Sequence, residues 1–468
     1  MGALMVQGTS SHAGKSLITT GLCRALKRRG FDVAPFKAQN MSNNARVVRG
    51  GEIGTAQYLQ ALAAGVEPSV RMNPILVKPE GDNRSQVVVL GKPDPELSRL
   101  PWRSRSQRHW AVIEESLRQL ASEHDVLLIE GAGSPAETNL RDADLANMRT
   151  AAFAGAGVVL VADIDRGGAF AHLYGTWALL PQSERALIIG FVLNKFRGDP
   201  CLLPPAPQDL RRLTGIPTVG VIPWLEHGLP DEDRAADPKR SGGRPAVAIV
   251  RYPTASNLDE FKLLEQAADL HWATRAAELD GSSLVILPGS KHVAHDLAWL
   301  RRTGLAQAVV RRVRGGQPVV GICGGLQMLG ERIEDEAGVD GTADGLGLLP
   351  LHTTYGQTKL TDEADFVFGE IAEPWSALTG CKFRGYQIRH GRTVATGPVQ
   401  QAVGNGLGYA SGAVLAVQAH GMLEEPSVLR ALFGAVPRRP FDAVFEELAD
   451  AIENHLDVSF FLREAGIA

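Results

Sequence analysis

Cysteine is scarce, with four residues in 468: Cys23, Cys201, Cys323 and Cys381. They are widely scattered and form neither a CxxC pair nor a dense framework. That spacing excludes a disulfide-stapled scaffold and fits a reducing compartment, so a cytoplasmic protein is expected. Long apolar runs are also lacking. No stretch approaches the roughly 20 apolar residues that cross a bilayer. The opening MGALMVQGTSS passes straight into a strand-like segment without a signal-peptide layout, so no membrane partner is expected. Nor is there an excess of one charge: 48 Lys and Arg face 52 Asp and Glu, a net charge of -4 that gives no pull toward nucleic acid. The expected ligands are therefore small molecules, and a homo-oligomer is left open.

What is present is aliphatic sequence in short runs. With 44% hydrophobic residues and 468 positions, the chain exceeds one ordinary core, and two domains are expected. ALMVQG, DVAPFKA, DVLLIEGAG, GVVLVADID and ALIIGFVLN alternate with helix-like segments, the pattern of βαβ units in a parallel sheet covered on both faces. Near Leu225 the chain changes to LEHGLPDEDRAADPKRSGGRP, charged and rich in Gly and Pro, which reads as a linker. The alternation then resumes with AVAIVRYP, SLVILPGS, PVVGICGG and GAVLAVQAHG. The expected division is a first α/β domain over 1–228, a linker over 229–244 and a second α/β domain over 245–468. Phe441, Val444, Phe445, Leu448 and Ile452 recur at helical spacing and predict a packing helix that closes the second domain. The stretch PWRSRSQRHWAVIEESLRQL reads as a charged loop leading into a helix.

Two motifs carry chemistry. Gly8-Thr9-Ser10-Ser11-His12-Ala13-Gly14-Lys15-Ser16 lies between an apolar strand and the helix-like LITTGLCRALKRRG. Such a turn aims backbone N–H groups at phosphate oxygens, while Lys15 adds charge and the Ser16 hydroxyl reaches Mg²⁺. Gly8, Thr9, His12, Ala13, Gly14, Lys15 and Ser16 are thus expected to bind ATP. The loop is one residue longer than the simple P-loop pattern and resembles that of the dethiobiotin synthetase group, which makes acyl phosphates or carbamates. Glu130 ends the strand DVLLIE at the sheet edge where ligands gather, and resembles that group's Mg²⁺ ligand. Glu52, in GGEIGTAQ, is a second candidate ligand, giving Ser16, Glu52 and Glu130 as the expected metal set. Lys37, Asp163, Asp165 and Arg166 follow other strands and are candidates for substrate or phosphate. Asn194, ending VLN, is a candidate for the adenine edge, with a turn-forming role as the alternative.

The second motif is Gly321-Ile322-Cys323-Gly324-Gly325, a cysteine form of the strand–turn–helix nucleophile elbow. Small neighbours permit the sharp turn, and the following helix start favours a thiolate. The Gly324 N–H is placed to stabilise an oxyanion, and Gly289 in LPGSKH is the candidate second donor. The thiol needs a base, and His420 in AVLAVQAHGM ends a strand where one is required. Cys23 reads as packing.

Taken together, GTSSHAGKS, PFKAQNMSNNARV, EIGTAQYLQALAAGVEP, MNPILVKP, IEGAGSPAETNL, ADIDRGGAFA, LNKFRGD, LPGSKH, GICGGLQMLG, GYQIRHGRT and the HG of His420 resemble the cobyric acid synthase family, the glutamine-dependent amidotransferases of cobalamin biosynthesis. The likeness spans nearly the whole chain. It implies a P-loop, dethiobiotin-synthetase-like parallel-sheet domain followed by a class I, triad-type glutamine amidotransferase α/β domain. It further implies ATP, Mg²⁺ and glutamine, and a corrinoid substrate, adenosylcobyrinic acid a,c-diamide, amidated at four carboxylates. Departures lie in VQAHGMLEEP and KLTDEADFVFGE. Triad-type amidotransferases carry a glutamate two residues after the histidine, whereas Met422 stands here and Glu424 and Glu425 are out of register. The expectation is a Cys–His pair whose imidazole is oriented by some other group. Two alternatives remain: a cobyrinic acid a,c-diamide synthase, against which MSNNARV and GYQIRHGRT argue, and a partitioning-type P-loop ATPase with a degenerate binding domain.

Overall fold

The run GALMVQG forms a fully buried strand, Gly2–Gly8, at the middle of a six-stranded sheet. The computed structural model describes residues 2–81, 84–230, 243–434, 440–464 and 466–467. Strand order across the first sheet is Thr218–Pro223, Ile188–Phe196, Gly157–Asp163, Gly2–Gly8, Val126–Glu130 and Val33–Phe36, all parallel. From Gly2–Gly8 the chain moves to Val33–Phe36 on one side, and from the neighbouring Gly157–Asp163 to Ile188–Phe196 on the other, which makes the carboxyl ends of this pair the topological switch point where an open α/β sheet binds ligands. Helices cover both faces, as burial of aliphatic residues on each side of the sheet requires.

The second sheet runs Asp269–Ala273, Ala246–Val250, Leu284–Leu287, Val319–Ile322 and Val414–Val417 in parallel, then turns antiparallel through Gly408–Ser411 and Gln400–Val403. Two smaller features fill the junction. One is the hairpin Ala45–Val48 with Gly51–Gly54; the other is the long antiparallel pair Leu351–Val367 with Lys382–Ala395. The expected two α/β units are both present, and most of the expected linker, residues 231–242, lies outside the described residues.

Two expectations change. The charged stretch after Pro101 is helical from its start, Trp102–Glu123: extended Pro101 caps it, and Ile113, Leu117 and Leu120 return to one buried face at helical spacing. The second concerns the helix Phe441–His455, which packs on the first domain and not within the second. Its Val444, Phe445, Leu448, Ala449 and Ile452 join the cluster that holds Ile18, Leu22 and Leu26 of the helix Lys15–Arg28. A Cβ at Gly21 would lie 2.5 Å from Ile452, so glycine permits the approach. Arg28 pairs with Asp450 at 2.6 Å and Arg24 with Glu446 at 3.3 Å along the seam. Apolar periodicity fixed this helix but said nothing of which sheet its face would meet.

Candidate active site

At the switch point, the strand Gly2–Gly8 ends in a loop that enters the helix Lys15–Arg28 through Gly14. Gly14 sits at φ 101, where a side chain is strained and would also collide with Asn194. The Lys15 Nζ donates to the carbonyls of Ser10 at 3.1 Å and Gly133 at 3.3 Å, which folds the loop around its own ammonium. The Ser16 hydroxyl donates to Glu130 Oε1 at 2.9 Å, and Lys37 Nζ donates to the same oxygen at 2.8 Å. Gln60 Nε2 completes the carboxylate by donating to Oε2 at 2.5 Å. A hydroxyl and a carboxylate meeting at a phosphate loop are hard oxygen donors of the kind Mg²⁺ takes.

The other candidates of this half divide. Asp163 is buried and accepts from Lys195 Nζ at 2.8 Å, while Arg166 approaches it at 3.4 Å. Lys195 also donates to the His12 carbonyl at 2.8 Å, so the strand end and the loop are tied together. Asp165 faces Arg197 at 3.4 Å nearer the surface. Asn194 is buried and donates to the Ala13 carbonyl at 2.9 Å; it braces the loop where an adenine contact was expected. Glu52 departs further from expectation. It is fully buried, and its two oxygens accept from Lys78 and Lys359, each at 2.5 Å. Burial works against its charge, but Lys359 and Lys78 outweigh that and hold it at about 2. It is a structural counter-ion to two lysines from different domains and does not join Ser16 and Glu130. Among the described residues no group of three or more His, Cys, Asp or Glu is placed to hold a metal.

In the second half, the strand Val319–Ile322 ends at Cys323, whose φ of 50 and ψ of -104 mark the strained elbow expected of a nucleophile on a sharp turn. A Cβ at Gly325 would lie 2.0 Å from the Leu287 carbonyl, so only glycine follows here. The Cys323 N–H donates to the Val417 carbonyl at 2.8 Å and pins the elbow to the strand that leads to His420. Gly289 lies close to the imidazole, and a Cβ at Gly324 would lie 2.7 Å from the Ser290 nitrogen, so both expected oxyanion positions flank the sulfur's turn.

His420 is almost wholly buried and lies near enough to Cys323 for the thiol to favour its charged form. Its Nδ1 lies 2.9 Å from Glu260 Oε1, and the second Glu260 oxygen accepts from the Gly421 N–H at 3.1 Å. Burial disfavours the imidazolium, but Glu260 and Cys323 outweigh it and raise His420 from 6.5 to about 10. The Tyr386 ring stacks on the imidazole at 5.2 Å. Glu260 is thus the orienting carboxylate that the positions after the histidine do not supply. It sits on a one-turn helix, Leu258–Phe261, entered through Asn257 at φ 56. A signal for it existed in SNLDEF, just beyond the apolar strand Ala246–Val250 and so at the same carboxyl edge as Cys323. Cys23 is the inert contrast: burial pushes its thiol far up.

Comparison with known proteins agrees with this geometry. A family model described as a CobQ/CobB/MinD/ParA nucleotide binding domain matches residues 4–232, and one described as a CobB/CobQ-like glutamine amidotransferase domain matches residues 246–428. A cobyric acid synthase of Polaromonas sp. strain JS666 is 52% identical over 97% of this chain and 96% of its own. Those of Variovorax paradoxus and Paracidovorax citrulli are 53% and 54% identical, each over 97% of both chains. Among the described residues no helix is long and apolar enough to cross a membrane. A phosphate loop on one sheet, a Cys–His–Glu row on the other and this identity along nearly the full length place the chain in the cobyric acid synthase family of glutamine-dependent amide-forming ligases.

Proposed function

We propose that the enzyme amidates the b, d, e and g carboxylates of adenosylcobyrinic acid a,c-diamide to give adenosylcobyric acid, using ATP and glutamine. The observation that carries this reading is the Cys323–His420–Glu260 row in one chain with a phosphate loop whose Ser16 meets Glu130. A glutaminase alone would need no nucleotide site, and a partitioning-type ATPase would need no ordered thiol–imidazole–carboxylate row.

In the first half, a substrate carboxylate attacks the ATP γ-phosphate, breaking its bond to ADP, which leaves, and forming an acyl phosphate. Backbone N–H groups of the loop and Lys15 hold the phosphates, and Lys37, seated on Glu130, adds charge at the same edge. Ser16 and Glu130 are the residues that would hold Mg²⁺, which would offset the phosphate charge. Ammonia displaces phosphate from the acyl phosphate to leave the amide.

In the second half, Cys323 attacks the glutamine carboxamide, and Gly324 and Gly289 face the developing oxyanion. His420 transfers the thiol proton to the leaving ammonia, with Glu260 fixing the ring so that the other nitrogen faces sulfur. Water then hydrolyses the thioester to glutamate. A single incubation with ATP, glutamine and the corrinoid, followed by mass detection, tests the reading. Four successive replacements of hydroxyl by amino are expected, each dependent on ATP; an a,c-diamide left unchanged while cobyrinic acid gains two amides would favour the diamide synthase.

A further inference from the structure

The hairpin Ala45–Val48 with Gly51–Gly54 belongs to the nucleotide-binding half, yet it is seated against the glutaminase. Its Arg46 is buried, and its guanidinium divides between two carboxylates of the other half. Nε donates to Asp259 Oδ2 at 2.8 Å, Nη1 donates to Glu424 Oε2 at 2.7 Å, and Nη2 reaches both residues. The two acceptors flank the triad: Asp259 precedes Glu260 on its one-turn helix, and Glu424 closes the turn that follows His420 and Gly421. One guanidinium therefore ties together the segments that carry both ends of the Glu260–His420 hydrogen bond.

The surrounding contacts act on the same turn. The Asn257 amide donates to the Ala45 carbonyl at 2.8 Å and to the Tyr386 hydroxyl at 3.0 Å. The Leu258 N–H donates to Asn44 Oδ1 at 3.0 Å, and the Thr55 hydroxyl donates to Asp259 at 3.3 Å. Arg46 also lies 5.1 Å over the Tyr386 ring, the ring stacked on His420. A one-turn helix entered through a left-handed asparagine has little rigidity of its own, and these contacts supply it.

We propose that Arg46 is a positioning residue for glutamine hydrolysis: from the nucleotide-binding half it fixes Glu260 against His420, so the glutaminase is complete only when the two halves are docked. The inference rests on the glutaminase reading above. Thr55 adds a reason for such an arrangement, since it begins the helix Thr55–Ala64 whose Gln60 holds Glu130 at the phosphate site. A single helix thus touches the supports of both sites.

The test uses the full-length enzyme and compares wild type with Arg46→Ala in two assays, glutamine hydrolysis and amidation supported by ammonium. The expected result is a roughly 10- to 100-fold fall in kcat for glutamine hydrolysis, the scale of a small misplacement of a catalytic group. KM for glutamine stays within about twofold, and ammonium-supported amidation stays at wild-type rate. Arg46→Ala leaves the buried Asp259 and the partly buried Glu424 without a counter-charge and risks misfolding. The charge-neutral variant Arg46→Met/Asp259→Asn/Glu424→Gln removes the network without that defect and is expected to show the same split. Unchanged glutamine hydrolysis in the folded variants overturns the proposal. So does an equal fall in both assays, which would assign Arg46 to the synthetase site. A wild-type enzyme that neither hydrolyses glutamine nor uses ammonium would instead overturn the functional reading beneath it.

Discussion

The phosphate site and the thiol site occupy equivalent places, beyond the carboxyl ends of the parallel strands Gly2–Gly8 and Val319–Ile322, but they are prepared differently. At the phosphate site, charged groups are engaged with one another or with the loop: Lys37 with Glu130, Lys195 with Asp163, Lys15 with two carbonyls. At the thiol site the imidazole is hydrogen-bonded to the Glu260 carboxylate, and both that carboxylate and the Cys323 sulfur favour its charged form. The first site holds its charges in pairs, whereas the second turns on the placement of one imidazole, so its geometry depends on what holds Glu260 and His420 in place.

The sharpest way to break that comparison is to remove one member of the row. Glu260→Gln keeps the shape and loses the charge that orients His420, and glutamine hydrolysis is expected to fall on the order of 1000-fold or more in kcat. The same variant carries a pH signature. His420, raised from 6.5 to about 10 when folded, stabilises the protein fully below the lower value and loses that contribution as pH rises through the upper one. Removing Glu260 lowers the folded value, so the alkaline fall in Tm across that window is expected to flatten. At the other site, Lys15→Ala is expected to cost roughly 100- to 1000-fold in amidation with either glutamine or ammonium as donor, with glutamine hydrolysis unchanged. Equal loss of hydrolysis there would mean that the two sites are not separable. The smallest effect concerns neither site. Ile452→Ala opens a cavity between the closing helix and the helix that leaves the phosphate loop, and is expected to cost about 2–5 kcal/mol of stability by denaturant titration.

Sequence made the local parts of both sites legible because their chemistry is local. A glycine turn between strand and helix carries Lys15 and Ser16 within a few residues, and the elbow at Cys323 is written in five. The alternation of aliphatic runs likewise foretold the first parallel sheet and a second α/β domain. What stayed hidden depends on distant pieces meeting. Glu260 lies 160 residues from the imidazole it orients, and nothing near His420 points to it. Glu52 stands before a helix much as a ligand would, yet Lys359, 307 residues away, takes one of its oxygens. Asn194 ends a strand where a base might be read, but the loop it braces is 181 residues earlier. The helix Phe441–His455 shows its apolar stripe plainly, while its partner is decided only by which domain leaves a matching groove beside Gly21.

In the proposed function two chemistries are housed apart and joined by ammonia. Cys323→Ala, assayed with ATP and the corrinoid, tests it most directly. The expected result is loss of amidation with glutamine and its retention, still dependent on ATP, with ammonium. Amidation from glutamine persisting in that variant, or ammonium failing in both proteins, would contradict it.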